Sequence, residues 1–250
     1  MPSCRTHTSS ATLNKVEEPC VLQSAVPSGA VYPSRYYLMG IVGVGKSTLR
    51  ENLRRALPEA SIYEEWPETM AAEVNNAMDS MSQCSAEEIQ EWIFSQLATK
   101  NKLVLTDLAS TLIIDRSPLD TFAFYPPGQW KARALQMLGA LNMKSATPLA
   151  PGEIIFLEGS PKEVSIRLCD TRGYSRNTLG AQQSAFEIVI DYLAENYTYP
   201  VKRINTRNLN PEEVTQQALD IIWGGCADDR STDDYAPLNI QKVVANIAAS

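Results

Sequence analysis

Residues 40–48 read Gly-Ile-Val-Gly-Val-Gly-Lys-Ser-Thr, and no other stretch limits the fold so tightly. They match the phosphate-binding pattern G-x-x-x-x-G-K-[ST] at Gly40, Gly45, Lys46 and Ser47. Such a loop joins a strand to a helix, and both flanks have the right composition. Tyr36-Tyr37-Leu38-Met39 is a short apolar run of strand type, and Leu49 to Ala56 is a good helix former. The glycines let the backbone of Val42, Gly43, Val44, Gly45, Lys46, Ser47 and Thr48 bring N–H groups onto phosphate oxygens. The helix N-terminus adds partial positive charge at the same point. Lys46 is placed to reach the β- and γ-phosphates, and the Ser47 hydroxyl to hold Mg²⁺. A chance lysine in a glycine turn would lack these flanks.

A single strand–loop–helix unit needs a sheet to sit in, and the rest of the chain supplies one. Ala60-Ser61-Ile62-Tyr63 reads as a second strand and Leu112-Ile113-Ile114-Asp115 as a buried third. Glu153-Ile154-Ile155-Phe156-Leu157 reads as a fourth, and Val201 to Ile204 as a fifth. Helical patterns separate them. From Ala86 onward, Ile89, Ile93, Leu97, Val104 and Leu108 recur at mostly helical spacing. A strand at Leu103–Leu105, ending in Asp107, is the rival reading; one long helix is preferred, since only a tight turn would separate that strand from Leu112. Further helices are expected over Gln129–Met143, from Pro161 to about Thr171, over Leu179–Glu195, and from Pro211 to Trp223. Strands alternating with helices predict an α/β fold: a five-stranded parallel sheet flanked by helices, in one domain.

That domain is expected over residues 35–225. Residues 1–34, rich in Ser, Thr and Pro, read as a disordered or loosely packed tail. Residues 226–250 read as an acidic loop followed by a short helix over Asn239–Ala249. The net charge of −7 argues against a nucleic-acid polymer as partner, because neutralising many phosphates needs a basic excess. No run approaches the ~18 apolar residues of a membrane span. The five cysteines form no C-x-x-C pair, which favours a reducing, cytoplasmic compartment; organellar targeting by the tail is left open. The one histidine, His7, lies in the tail, so no Ser-His or Cys-His pair is available to the folded body.

The remaining chemistry clusters after the strands. Asp115-Arg116-Ser117 directly follows the third, where parallel sheets bind ligands. Asp115 there can hold Mg²⁺ or its water, and the fork of Arg116 matches phosphate oxygens. Glu64 and Glu65 follow the second strand, and either carboxylate can take a proton from an attacking hydroxyl. Arg167, Arg172 and Arg176 surround Gly173, which marks a loop that can close over ATP and exclude water. Trp66, Phe122, Phe124, Tyr125 and Trp130 are candidates for stacking on a base.

In order and spacing, residues 36–223 resemble the deoxynucleoside kinase and thymidylate kinase group of P-loop kinases. The resemblance rests on the phosphate loop, the Glu after the second strand, Asp-Arg-Ser after the third and the arginine loop after the fourth. It implies ATP–Mg²⁺ as donor and a small-molecule acceptor, a nucleoside or nucleoside monophosphate. It also implies a general-base Glu and an Asp-Arg pair serving metal and phosphates. Ile62-Tyr63-Glu64-Glu65-Trp66-Pro67-Glu68 is similar to the family segment ending in Glu-Pro-Val-Glu, which favours Glu65, although Trp66 stands where a proline is usual. The spacing from Arg167 to Arg172 is one residue longer than the family's, so the resemblance assigns Arg172 and Arg176 rather than Arg167. A homodimer is compatible with this reading. Two other classes fit the same loop: a P-loop kinase for a non-nucleotide hydroxyl, and a regulatory nucleotide-binding ATPase. A GTPase is disfavoured, as Asn101-Lys102-Leu103-Val104 lacks the Asp of a guanine-reading segment.

Overall fold

The computed structural model describes residues 34–65, 86–140, 148–150, 152–172, 175–197, 200–225 and 238–239. Its elements follow the chain as β1 (Ser34–Met39), α1 (Lys46–Ala56), β2 (Ser61–Tyr63), α2 (Ala86–Thr106) and β3 (Thr111–Asp115). A 3-10 segment, Pro118–Phe124, comes next, then α3 (Trp130–Ala140), β4 (Pro148–Leu149) and β5 (Glu153–Glu158). The chain continues through α4 (Pro161–Arg172), α5 (Arg176–Tyr197), β6 (Val201–Asn205), α6 (Pro211–Gly225) and β7 (Leu238–Asn239). The described residues all belong to one compact unit, Val31–Ser250.

Five strands form one parallel sheet in the order β2-β3-β1-β5-β6. The sequence explains which strands are central. Leu112, Ile113 and Ile114 of β3 and Ile154 to Leu157 of β5 are unbroken apolar runs, and all are at most 1% exposed. Helices cover both faces of such strands, so no side can be polar. Each fully buried Ile or Leu of this kind stabilises the fold by roughly 1.5–3 kcal/mol. The edges differ: β2 has only three half-buried residues, and β6 exposes Lys202 and Arg203. Short or charged edges discourage pairing with another sheet. The two aromatic hydroxyls of β1 are satisfied in the core, Tyr36 donating to the Ile222 carbonyl at 3.0 Å and Tyr37 to that of Ala150 at 2.7 Å.

The predicted α/β class and parallel sheet are present. The long helix is α2, which absorbs Leu103–Leu105 and excludes the rival strand. Leu108 falls beyond its end and is 92% exposed, so it does not extend the apolar face as its spacing suggested. The helix expected from Gln129 begins at Trp130, after a 3-10 turn at Pro127–Gln129, and residues 141–147 lie outside the described set. The strand pair β4–β7 was not anticipated, and it places Asn239 in a strand rather than at the start of a helix. Residues 240–250 lie outside the described set. Among the described residues no helix is long and apolar enough to cross a membrane.

Candidate active site

Register carries the candidate residues to one edge of the sheet. Leu38 of β1 pairs with Asp115 of β3, so the turn at Gly40 begins beside that carboxylate. Tyr63 of β2 pairs with Ile114, which sets Glu64 and Glu65 next to Asp115 and Arg116. All lie at the C-terminal ends of parallel strands, the usual ligand side of such sheets.

The loop itself needs its glycines. Gly40, Gly43 and Gly45 have φ of 143°, 76° and 117°, a region that side chains disfavour. At Gly40 a Cβ would also sit 2.7 Å from the Leu157 carbonyl oxygen. Helix α1 starts at Lys46, ahead of the expected Leu49, with no side-chain cap and no acidic residue in its first turn. The Leu49 N–H bonds the Gly45 carbonyl at 2.9 Å, so the amides of Lys46, Ser47 and Thr48 precede the intrahelical ladder. That is an anion-binding end. The Val42 amide is engaged within the protein, donating to Gln182 Oε1 of α5 at 3.0 Å, and the Val44 amide donates to the Ile41 carbonyl at 3.4 Å.

Lys46 is buried and folds back on its own loop, donating to the carbonyls of Gly40 at 2.7 Å and Ile41 at 2.9 Å. Burial pushes its pKa down to about 7, and Arg116 pushes the same way against the pull of Asp115, Asp120 and Glu65. An arriving phosphate would favour the charged form.

Asp115 is 2% exposed. Its Oδ2 accepts from Arg50 Nη1 at 3.0 Å, while the buried Oδ1 has no hydrogen-bond partner. An orphaned carboxylate oxygen beside a phosphate loop fits a hard cation or its water, and Ser47, exposed at the start of α1, fits as the second protein ligand. The two glutamates separate. Glu64 pairs with Arg54 at 2.8 Å and lies 3.6 Å from Arg50. Glu65 turns to Arg116, Nε lying 2.7 Å from Oε1, an ion pair whose angle is not that of a hydrogen bond. Arg116 has φ of 67°, uncommon for a residue with a side chain. Its guanidinium lies 5.0 Å from the centre of the Phe124 ring.

Two buried groups here escaped the sequence reading. Asp120 caps the 3-10 segment, its Oδ1 accepting from the Ser117 amide at 3.0 Å while the Ser117 hydroxyl accepts from the Leu119 amide. Burial raises its pKa to about 6, against the pull of Arg116. The pattern Ser117-x-x-Asp120 is a capping-box signal and was legible. Lys100, on α2, is 1% exposed and reaches the tips of β2 and β3. It falls three residues after Leu97 and four before Val104, on the face that the apolar spacing marks as buried.

The arginine segment is less assembled. Arg167 is exposed on α4, and Arg172 ends that helix, with its side chain and Gly173 outside the described set. Arg176 opens α5 and is exposed. With Lys162 and Arg207 it lines a cavity of about 530 Å³ that also takes in Ser160 and Asn177. Cations are disfavoured at a helix N-terminus, so the dipole does not account for Arg176 there. Of the proposed base-stacking aromatics, Phe122 and Trp130 are core residues packed edge-to-face, 6.1 Å between centroids. This corrects their assignment. Phe124 is 43% exposed beside Arg116, Tyr125 is half-buried under Arg133, and Trp66 lies outside the described set.

No family model matches the sequence, and no curated protein matches it. Solved structures do match its fold. Thymidylate kinase from Candida albicans superposes with a TM-score of 0.57 at 15% identity, over 78% of this chain and 92% of that one. Deoxyadenosine kinase from M. mycoides, solved with the products dCMP and a flexible dCDP, gives 0.54 at 17% identity, over 76% of this chain and 98% of that one. The fold is that of the P-loop nucleotide kinases. At such identities the likeness establishes architecture, and the chemistry has to be argued from the residues above.

Proposed function

We propose that the chain is a kinase that transfers the γ-phosphoryl group of ATP, with Mg²⁺, to a nucleoside or nucleoside monophosphate. One observation carries this reading. The loop of Lys46, the orphaned carboxylate of Asp115 and the Glu65–Arg116 pair stand at the adjoining tips of β1, β3 and β2. Residues 35–225 are assigned the activity, with 1–34 and 226–250 outside the catalytic body.

In this mechanism the amides at the start of α1 and Lys46 bind the β- and γ-phosphates, with Gly40, Gly43 and Gly45 giving the backbone its path. Ser47 and Asp115 would hold Mg²⁺, which when bound neutralises charge between those phosphates. Where the acceptor is a nucleoside, Glu65 takes the proton of its hydroxyl as that oxygen attacks the γ-phosphorus and the bond to the ADP oxygen breaks; the ionised phosphate oxygen of a nucleoside monophosphate attacks with no proton to remove. Arg116, held by Glu65, turns its remaining N–H groups to the transferring group or to an acceptor phosphate. Arg172 and Arg176, at the ends of the segment joining α4 to α5, close over the donor. Phe124 is the aromatic best placed to meet the acceptor base.

Exchanging the two glutamates tests the assignment. Glu65→Gln should lower kcat by about 10²–10⁴-fold with ATP binding intact. Glu64→Gln, which loosens only the pairing with Arg54 and Arg50, should stay near wild type. A dead Glu64→Gln beside an active Glu65→Gln would move the base by one residue.

A further inference from the structure

Lys100 is fully buried, yet among the described residues its ammonium makes no hydrogen bond to a carboxylate. Its three donors go to three main-chain carbonyls: Asp115 at 2.6 Å, and Glu64 and Glu65 at 3.3 Å each. The position of these carbonyls gives them meaning. The β2–β3 pairing ends at Tyr63 opposite Ile114. The next residues on both strands leave the ladder; the Asp115 carbonyl is buried and would cost ~1–3 kcal/mol without a partner, and those of Glu64 and Glu65, half-buried, would cost less. The bond to Asp115 also grips the peptide that leads into Arg116. That residue has φ of 67°, and its amide is held on the other side by the Leu38 carbonyl at 3.2 Å. A backbone in this region persists only where its surroundings over-determine it, and such places cluster at functional sites.

We propose that Lys100 is a positioning residue that continues the β2–β3 ladder past its last pair, locking Arg116 in its left-handed conformation so that its guanidinium meets Glu65. It touches neither donor nor acceptor and acts through Glu65, Asp115 and Arg116. A plain core role would need only an apolar side chain at this point of α2, whereas three carbonyls need three donors. The proposal rests on the kinase reading for its effect on turnover, but not for its effect on the backbone.

The test uses Lys100→Gln, which keeps two donors and similar bulk, and Lys100→Met, which keeps only the bulk. Amide hydrogen exchange on the full, substrate-free chain should speed up by about tenfold or more in the peptides over 61–65 and 112–118, more in Met than in Gln. Exchange in β5 and α6 should stay as in wild type. In steady-state kinetics kcat should fall by about 10–100-fold, the usual effect of losing an outer-shell partner, with KM for ATP within about twofold. Exchange that rises evenly across the domain, or a Lys100→Gln chain that does not fold, would make Lys100 a core strut and overturn the proposal. So would an unchanged kcat in an active enzyme. Local exchange together with a wild-type chain that phosphorylates no nucleoside or nucleotide upholds the backbone role and removes the kinase reading instead.

Discussion

Replacing Lys46 with methionine should remove the activity and make the stability of the nucleotide-free protein rise less steeply with pH above neutrality. The folded state lowers the Lys46 pKa from 10.5 to about 7, chiefly by burial. Between those values the unfolded chain holds a proton that the fold releases, so this residue's contribution to stability rises with pH across that window. The shift corresponds to a cost of about 4 kcal/mol at pH 7 and about 1 kcal/mol near pH 9.5. Methionine removes that cost but strands the Gly40 and Ile41 carbonyls that Lys46 now satisfies. Both carbonyls belong to buried residues, so each one stranded costs the variant about 1–3 kcal/mol, the same at either pH. The stability of Lys46→Met relative to wild type at pH 7 should then exceed that near pH 9.5 by about 3 kcal/mol. Urea unfolding at the two pH values, without nucleotide, measures the difference. A variant less stable than wild type by the same amount at both would mean that Lys46 is not a strained buried cation.

Three other outcomes follow from named contacts. Gly40→Ala should destabilise the fold by about 1–3 kcal/mol in thermal melting, because φ of 143° and the 2.7 Å approach to the Leu157 oxygen leave a Cβ no room. Asp115→Asn should shift the Mg²⁺ dependence of turnover to higher concentration, since it exchanges the orphaned oxygen for a weaker ligand; coincident Mg²⁺ titrations would remove the metal role. Asp120→Ala should cost about 1 kcal/mol at pH 4 through the lost cap. Because the pKa of Asp120 is raised to about 6, the stability it supplies is full below 3.8 and lost as pH rises through about 6. The variant's deficit should therefore shrink or reverse at pH 7, and chemical denaturation at the two pH values checks the sign.

Much of the fold was legible because its signals are local and redundant. The apolar runs at Leu112–Ile114 and Ile154–Leu157 could only be buried strands, and Pro161 and Pro211 open helices where a fixed φ suits the first turn. What escaped depends on partners distant in sequence. The β4–β7 pair joins Pro148–Leu149 to Leu238–Asn239, two short segments with no periodicity of their own. At the site, the phosphate loop announced itself through spacing, but Glu64 and Glu65 are chemically identical neighbours. Their physical difference lies in the placement of Arg54 and Arg116, which no local pattern shows. Arg50, which holds Asp115, looked like any cation on a helix surface. Lys100 was visible in principle as the polar residue on an apolar stripe, but no pattern could say that three strand-tip carbonyls waited for it.

Phosphoryl transfer to a nucleoside or nucleotide is tested most directly by following a labelled phosphoryl group. The protein would be given ATP carrying ¹⁸O in its γ-phosphoryl group, Mg²⁺ and a pooled set of nucleosides, nucleoside monophosphates and other small alcohols, with products read by mass spectrometry. One nucleoside or nucleoside monophosphate should gain a single labelled phosphoryl group, a product absent with Lys46→Ala. Label found only on a non-nucleotide alcohol would contradict the nucleoside or nucleotide acceptor, and label found only in inorganic phosphate would contradict the kinase assignment itself.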